Sequence, residues 1–305
     1  MSAPRRRLDV ELVRRRLAAS RQEAQAAISS GRVLVGGALA ERASRLVAPG
    51  EPLELLGPPR RFVGRGGEKL DAALDRFSLD IRGSVVLDAG ASTGGFTDCL
   101  IRRGAALVAA LDVGHGQLDP RLRADEHVVV LERTNIRTLR PPALAAALGA
   151  EHVPVDAVTA DLSFISLRAA IPVLAGPIVR AGGSLVLLVK PQFEVGRAEA
   201  SRTKGVVRDP ELWLGALRAV ASSLVGSKAA IMDAMRSPVT GASGNTEFFV
   251  HAVAHTGSAG GGSAGAGRAG GGSAGAGRAG AGGPDVTLPD EVERVLRQAL
   301  AAAPR

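Results

Sequence analysis

Four charged residues stand inside otherwise apolar segments: Lys69 in GRGGEKL, Asp161 in TADLSFISL, Lys190 in LVLLVKPQFE and Glu247 in SGNTEFFV. An unpaired charge at the end of a run such as LVLLV costs on the order of several kcal/mol to desolvate, so each is expected to have a partner. Spacing alone leaves two readings open. One is a structural salt bridge such as Lys190 with Asp161; the other is a reacting centre in which a lysine moves a proton. Lysine usage bears on the second, because 34 of the 38 basic residues are arginine and the lysines are Lys69, Lys190, Lys204 and Lys228. Arginine does not readily lose its proton, whereas a lysine ammonium does when its environment disfavours the charge. For Lys204 and Lys228 chance placement suffices.

A ligand-binding turn lies between these positions. SVVLDAGASTGGF, Ser84 to Phe96, reads as a buried strand entering a glycine-rich turn. Gly90, Gly94 and Gly95 lack Cβ atoms, so backbone N–H groups can approach a ligand, and Asp88 is placed to order the loop. The spacing G-x-x-x-G-G differs from the G-x-G-x-x-G of dinucleotide binders and favours a methyl-donor site over a pyrophosphate site. Asp112, near the end of the next apolar run, ALVAALDV, suits a ribose diol. The plainer reading is that glycines follow the first strand of many α/β proteins.

The elements that must position these residues alternate along the chain. Strands are expected at Val85–Ala89, Leu107–Val113, Val128–Glu132, Val155–Ala160, Leu185–Val189 and Glu247–Val253, with helical patterns between most of them. That order predicts an α/β domain with a largely parallel sheet over residues 64–255. Asp161 and Lys190 then fall at carboxyl ends of strands, where the ligand crevice of an open sheet lies. An antiparallel last strand brings Glu247 to the same edge.

Residues 1–60 read as a separate helical module closed by short strands. Leu8, Leu12, Val13 and Leu17 recur at helical spacing, and Ser20 with Glu23 forms a capping box for a second helix through Ile28. RVLV, Gly36-Gly37 and Pro52 to Leu56 suggest strands around a tight turn. Pro58-Pro59 leads into a linker at 61–63. Beyond 255, GGSAGAGRAG occurs twice in tandem at 261–280, so 256–288 reads as a linker whose ends lie on the order of 30 Å apart as a random coil. Pro289 and Asp290 open a last helix within 289–305, with Val292, Val295, Leu296 and Ala299 on one face.

The net charge is +8, and residues 1–60 hold eleven arginines against six acids. RRR occurs twice beside paired helices, which points to a phosphate-binding surface formed by Arg5, Arg6, Arg7, Arg14, Arg15 and Arg21. No apolar run approaches 18 residues and the N-terminus lacks a secretory apolar stretch, so a soluble cytoplasmic protein is expected. The single cysteine, Cys99, excludes an internal disulfide and is expected to pack on the helix after the turn. The five histidines show no metal spacing.

LDVELVRRRLAASRQEAQAAISSGRVLVGG resembles the S4-type RNA-binding domain, with Gly36-Gly37 where that family has asparagine-glycine. RGGEKL, LDAGASTGGFTDCL, ALDVGHGQL, ADLSFISL, LVKPQFEVGR, GVVRD and SPVTGASGNTEFF resemble, in order, the methyltransferase domain of the TlyA, or hemolysin A-like, family. The resemblance implies a Rossmann-like class I methyltransferase fold with a small α+β S4-type domain in front. It also implies S-adenosyl-L-methionine as donor and 2'-O-methylation of cytidine in ribosomal RNA within ribosomal subunits. No metal, membrane or obligate protein partner is implied. Carried over residue by residue, Lys69, Asp161, Lys190 and Glu247 surround the acceptor hydroxyl, with Lys190 as base. Gly90, Ser92, Gly94, Gly95 and Phe96 surround methionine and ribose, Asp112 the ribose hydroxyls, and Asn135 the adenine, with Asp88 counted in the same donor-binding set. The alternatives are a membrane-active hemolysin, as one family name suggests, and a non-catalytic RNA-binding assembly factor.

Overall fold

The structure, a computed structural model, describes residues 5–57, 61–196, 199, 202, 205–241, 243–255 and 288–302. Residues 58–60, Lys204 and the tandem repeat lie outside the described residues, as does nearly all of the expected 256–288 linker.

The N-terminal module begins with β1 (Arg6–Arg7) and continues through α1 (Leu8–Arg14), α2 (Arg21–Ser29), β2 (Val33–Val35), β3 (Ala38–Leu39), β4 (Leu46–Val47) and β5 (Leu53–Leu55). β2 pairs antiparallel with both β3 and β5, while β1 pairs with β4. Ser20 caps α2 by accepting from Glu23 N at 3.2 Å. Between β2 and β3, Gly36 and Gly37 have φ of +62° and +83°. A two-residue hairpin turn with both φ positive favours asparagine-glycine or a glycine pair, so the departure from the family pattern keeps the turn. Leu8, Leu12, Ala24, Ile28, Val33 and Val47 fill a small core.

The larger unit contains α3 (Arg65–Arg76), β6 (Val85–Ala89), α4 (Gly95–Arg102), β7 (Leu107–Leu111), α5 (Pro120–Arg123), β8 (Val128–Leu131), α6 (Pro141–Leu148) and β9 (Val155–Ala160). It continues through α7 (Ile171–Leu174), β10 (Val179–Val189), α8 (Pro191–Glu194), α9 (Pro210–Gly226), β11 (Ala229–Arg236) and β12 (Phe248–Ala254) to α10 (Asp290–Ala301). Its seven strands run in the order β11-β12-β10-β9-β6-β7-β8. β6 pairs in parallel with β7 and β9, and β12 lies antiparallel between β10 and β11. The order reverses between β6 and β9, which opens a crevice at their carboxyl ends.

Alternation along the strands assigns the two faces. Leu87, Leu185, Leu187 and Phe248 join a core with helices α6, α9 and α10, while Val86, Val186, Leu188 and Phe249 face α3 and α4. Cys99 lies fully buried on α4 in this second core. Val292, Leu296 and Ala299 of α10 are buried in the first, and Glu293 accepts two bonds from Arg218 at 2.7 and 2.8 Å.

Several strand ends shift by a residue or two, as where β7 stops at Leu111 and β8 at Leu131, and three differences matter more. β11, AAIMDAMR, was absent from the expected strands, since alanine and methionine favour helices; pairing with β12 overrides that preference. β10 starts six residues ahead of Leu185, with a register shift between Val179 and Ser184. Glu247 stands just before β12, whose first residue is Phe248.

Asp88 also departs from the role expected of it. It is fully buried and accepts from Thr97 Oγ1 at 2.7 Å and Thr159 Oγ1 at 3.2 Å, so it ties β6 to α4 and β9 rather than reaching a ligand. Burial pushes its carboxyl up to about 7. The fold therefore favours neutral Asp88, a contribution present in full below the unfolded pKa near 3.8 and lost as pH rises through 7. Asp88→Asn removes this titration: from pH 5 to pH 8 the wild type should lose on the order of a few kcal/mol of unfolding free energy relative to the variant. Parallel stability curves in denaturant titrations across that range would show that Asp88 does not behave in this way.

Candidate active site

The crevice between β6 and β9 is built on close backbone approach. Gly90 has φ +88°, and a Cβ there would sit 2.5 Å from the Asp161 carbonyl oxygen. The Asp161 N–H donates to Ala89 O at 2.9 Å, so the turn after β6 and the end of β9 are laced together. Gly94 stands just before α4 as its cap with φ +98°, and its missing Cβ makes room for Leu118 and Leu122. Gly95 and the Gly66-Gly67 pair let the first turns of α3 and α4 meet, since a Cβ on Gly95 would stand 3.1 Å from Gly67 N. The RGGEKL motif is thereby explained by packing: its glycines seat α3 against α4, and one turn on, Lys69 is buried beside the crevice.

A cavity of about 240 Å³ opens there, lined by Lys69, Gly90, Ser92, Gly95, Phe96, Asp161, Lys190 and Glu247, with Arg65 and Thr93 among its other walls. Lys69 Nζ donates to Glu247 Oε2 at 2.6 Å, and Lys190 Nζ lies 2.5 Å from Asp161 Oδ1. Lys190 Nζ also donates to Ser163 Oγ at 2.9 Å. Lys69, Lys190 and Glu247 are each less than 10 % exposed. The four residues expected around the acceptor hydroxyl thus line one cavity as two ion pairs, each lysine with its own carboxylate.

Beside the cavity the glycine turn fixes a carboxylate. Ser92 N donates to Asp112 Oδ2 at 2.8 Å and Gly114 N to Asp112 Oδ1 at 2.7 Å, so this carboxylate joins the glycine turn to the loop after β7. Its oxygens retain further lone pairs for hydroxyl donors. Phe96 is 3 % exposed and stacks with Phe249 at 6.0 Å, closing the floor. Asp88, Gly94, Asp112 and Asn135 do not line the cavity. Gly94 serves packing, and Asn135 Oδ1 caps the short turn at Ile136–Thr138 by accepting from Arg137 N at 3.0 Å.

Besides Thr93, three polar residues at or beside the site were not anticipated from sequence. Ser163 lies two residues after Asp161 and accepts from Lys190; Arg65 opens α3 and lines the cavity. Asn245 is 2 % exposed, accepts from Val207 N at 2.9 Å and donates to Gly205 O at 2.8 Å, tying the GVVRD segment to the approach of Glu247. A polar residue inside SGNTEFF was the available signal. Next to Ser163, Phe164 is 91 % exposed at φ +68°.

In the N-terminal module two buried acids organise the arginines. Asp9 pairs with Arg7 and Arg21, and Glu11 with Arg6, Arg14 and Arg15. Arg7 and Arg14 hold the respective carboxyls well below their usual range. Arg15 departs from the expected RNA-contacting set: its guanidinium is spent on Glu11 and on the carbonyls of Ala48, Pro49 and Glu51. Arg6, Arg7, Arg14 and Arg21 keep side-chain exposures of 45–58 %. Arg5 is exposed as well.

Comparison with known proteins places this arrangement. The family profile of FtsJ-like methyltransferases matches residues 62–254, and that of the S4 domain residues 6–53. The chain is 45 % identical over 249 residues to the 16S/23S rRNA (cytidine-2'-O)-methyltransferase TlyA of Mycobacterium tuberculosis, covering 81 % of this chain and 90 % of that protein. It is 34 % identical over 234 residues to Hemolysin A of Brachyspira hyodysenteriae, covering 77 % and 94 %. A solved structure of a protein named as a hemolysin from Streptococcus thermophilus superposes with a TM-score of 0.67 at 32 % identity, covering 97 % of this chain and 96 % of that one. The chain belongs to the TlyA, or hemolysin A-like, family of FtsJ-like methyltransferases that carry an N-terminal S4 domain.

Proposed function

We propose that this protein transfers a methyl group from S-adenosyl-L-methionine to the 2'-hydroxyl of cytidines in ribosomal RNA, acting on ribosomal subunits in the cytoplasm. The observation that carries this reading is the pair of lysine–carboxylate contacts facing a glycine turn across one cavity. The relatives named for that reaction and the arginine-rich S4 module support the RNA substrate. Among the described residues no helix is long and apolar enough to cross a membrane.

When bound, the donor supplies an electrophilic methyl on a sulfonium. Gly90, Ser92, Gly95 and Phe96 form the wall that receives it, and Asp112 beside them offers acceptors to its ribose hydroxyls. A ribose hydroxyl is a poor nucleophile, so it must be aligned and relieved of its proton as the new C–O bond forms. Lys190 Nζ is the acceptor for that proton. Asp161 and Ser163 hold its Nζ at the cavity wall, and the Lys69–Glu247 pair orients the hydroxyl from the opposite side. Arg5, Arg6, Arg7, Arg14 and Arg21 grip phosphates of structured RNA, reading shape more than base sequence.

Labelled methyl transfer to purified, unmodified ribosomal subunits, with mapping of the product, tests the reading. Wild type should place label on cytidine ribose, and Lys190→Arg should lower the rate about 100-fold or more while donor affinity stays unchanged. No label in either subunit sinks the function; a near-normal rate for Lys190→Arg sinks the assignment of the base.

RNA binding separates the two kinds of arginine. The double variant Arg5→Ala, Arg6→Ala should weaken binding and flatten the slope of log K against log salt by about 1–2, measured by filter binding. Arg15→Ala should instead lower the thermal midpoint, because it strips donors from Glu11 and three carbonyls. The same salt slope in the double variant would exclude those side chains from phosphate contact.

A further inference from the structure

The loop after β7, residues 112–116, is secured at nearly every position, and one residue outside the cavity does much of it. Asp112 N donates to Leu131 O at 3.1 Å, Thr134 N to Asp112 O at 3.0 Å, and Arg133 N to Gly114 O at 3.0 Å. These bonds lace the loop to the chain leaving β8. At the far end of the loop, Gly116 N donates to Glu132 Oε1 at 2.8 Å, and His115 Nδ1 lies 2.8 Å from Glu132 Oε2. Arg123 of α5 donates to the same Oε1. Three donors from two elements therefore converge on one carboxylate whose side chain is 12 % exposed. The residue after it, Arg133, is held at φ +54°, a strained conformation for a bulky side chain that turns the chain back under the loop.

The consequence falls on the two residues the loop presents. Asp112 keeps its place beside Ser92, and Val113 is left 68 % exposed, an apolar surface next to the ribose-binding carboxylate. Pre-set geometry of this kind saves the ordering entropy that a mobile loop would lose on binding. Arg123 beside it holds the Glu132 carboxyl below the usual range, so the clamp is charged near neutral pH.

We infer that Glu132 is a positioning residue for the methyl donor: its carboxylate holds the 112–116 loop in the shape that receives the adenosine half. This rests on reading the adjoining cavity as the donor site. It concerns affinity for the donor, and Glu132 does not touch the reacting atoms.

The test is calorimetric titration of S-adenosylhomocysteine into wild type, Glu132→Gln and Arg123→Gln, together with transfer kinetics at varied S-adenosylmethionine. Glu132→Gln is isosteric and should raise the dissociation constant and the donor KM by about tenfold, with the change falling on KM rather than kcat. Arg123→Gln leaves the bonds to Gly116 and His115 in place and should shift both in the same direction by less. It also supplies the comparison if Glu132→Gln folds poorly. Unchanged donor affinity in both variants, or a fall in kcat at constant KM, would overturn the inference. Wild type that binds no S-adenosylhomocysteine overturns the donor-site reading itself, a result told apart by its appearing before any substitution.

Discussion

The site depends on the contact between the turn after β6 and the end of β9. At Gly90 the backbone takes a left-handed turn directly against the Asp161 carbonyl, at a spacing no side chain permits. That contact joins the strands at the point where sheet order reverses, so the first turn residues and the first residue after β9 share one wall. Lys190 follows the neighbouring strand β10, and Glu247 enters the antiparallel β12 beside it. Asp161, Lys190 and Glu247 thus take their places from strand order, while Lys69 comes from α3.

Glycines set the depth of the pocket and charges set its character. Gly66, Gly67 and Gly95 bring two helix starts together, which lowers Lys69 into the crevice. Burying two lysines with two carboxylates gains little stability, because desolvation offsets the attraction. They are therefore weak as struts, which fits the catalytic role proposed for them. The N-terminal module shows the opposite use of the same charges. There the buried carboxylates Asp9 and Glu11 fan arginines outward, and Arg15 is turned to crosslinking the chain.

Much of this was legible in sequence, for physical reasons that also mark where it was not. Charges in apolar runs had to find partners, and Lys190 and Asp161 form the salt bridge that one reading expected; the catalytic reading is the one proposed for that same contact. The glycine turn stood out because only glycine tolerates its geometry, yet sequence could not say whether a missing Cβ admits a ligand or a neighbour. At Gly94 the neighbour is leucine, and at Gly90 it is backbone. Asp88 looked like a ligand residue by position, whereas burial makes it a tie between β6, α4 and β9. β11 was missed because its alanines and methionines speak for a helix and its strand state comes from a partner nearly twenty residues later. Long-range pairing of this kind leaves little local trace.

The central claim, that donor and acceptor halves share the β6–β9 seam, is tested most directly at Gly90. The measurement is the dissociation constant of S-adenosylhomocysteine for Gly90→Ala, with circular dichroism and RNA binding as controls for an intact fold and S4 module. Alanine there must displace the Asp161 backbone, so donor binding and methyl transfer should both be lost while RNA affinity persists. A Gly90→Ala protein that binds the donor as tightly as wild type and transfers methyl at a normal rate would contradict the account.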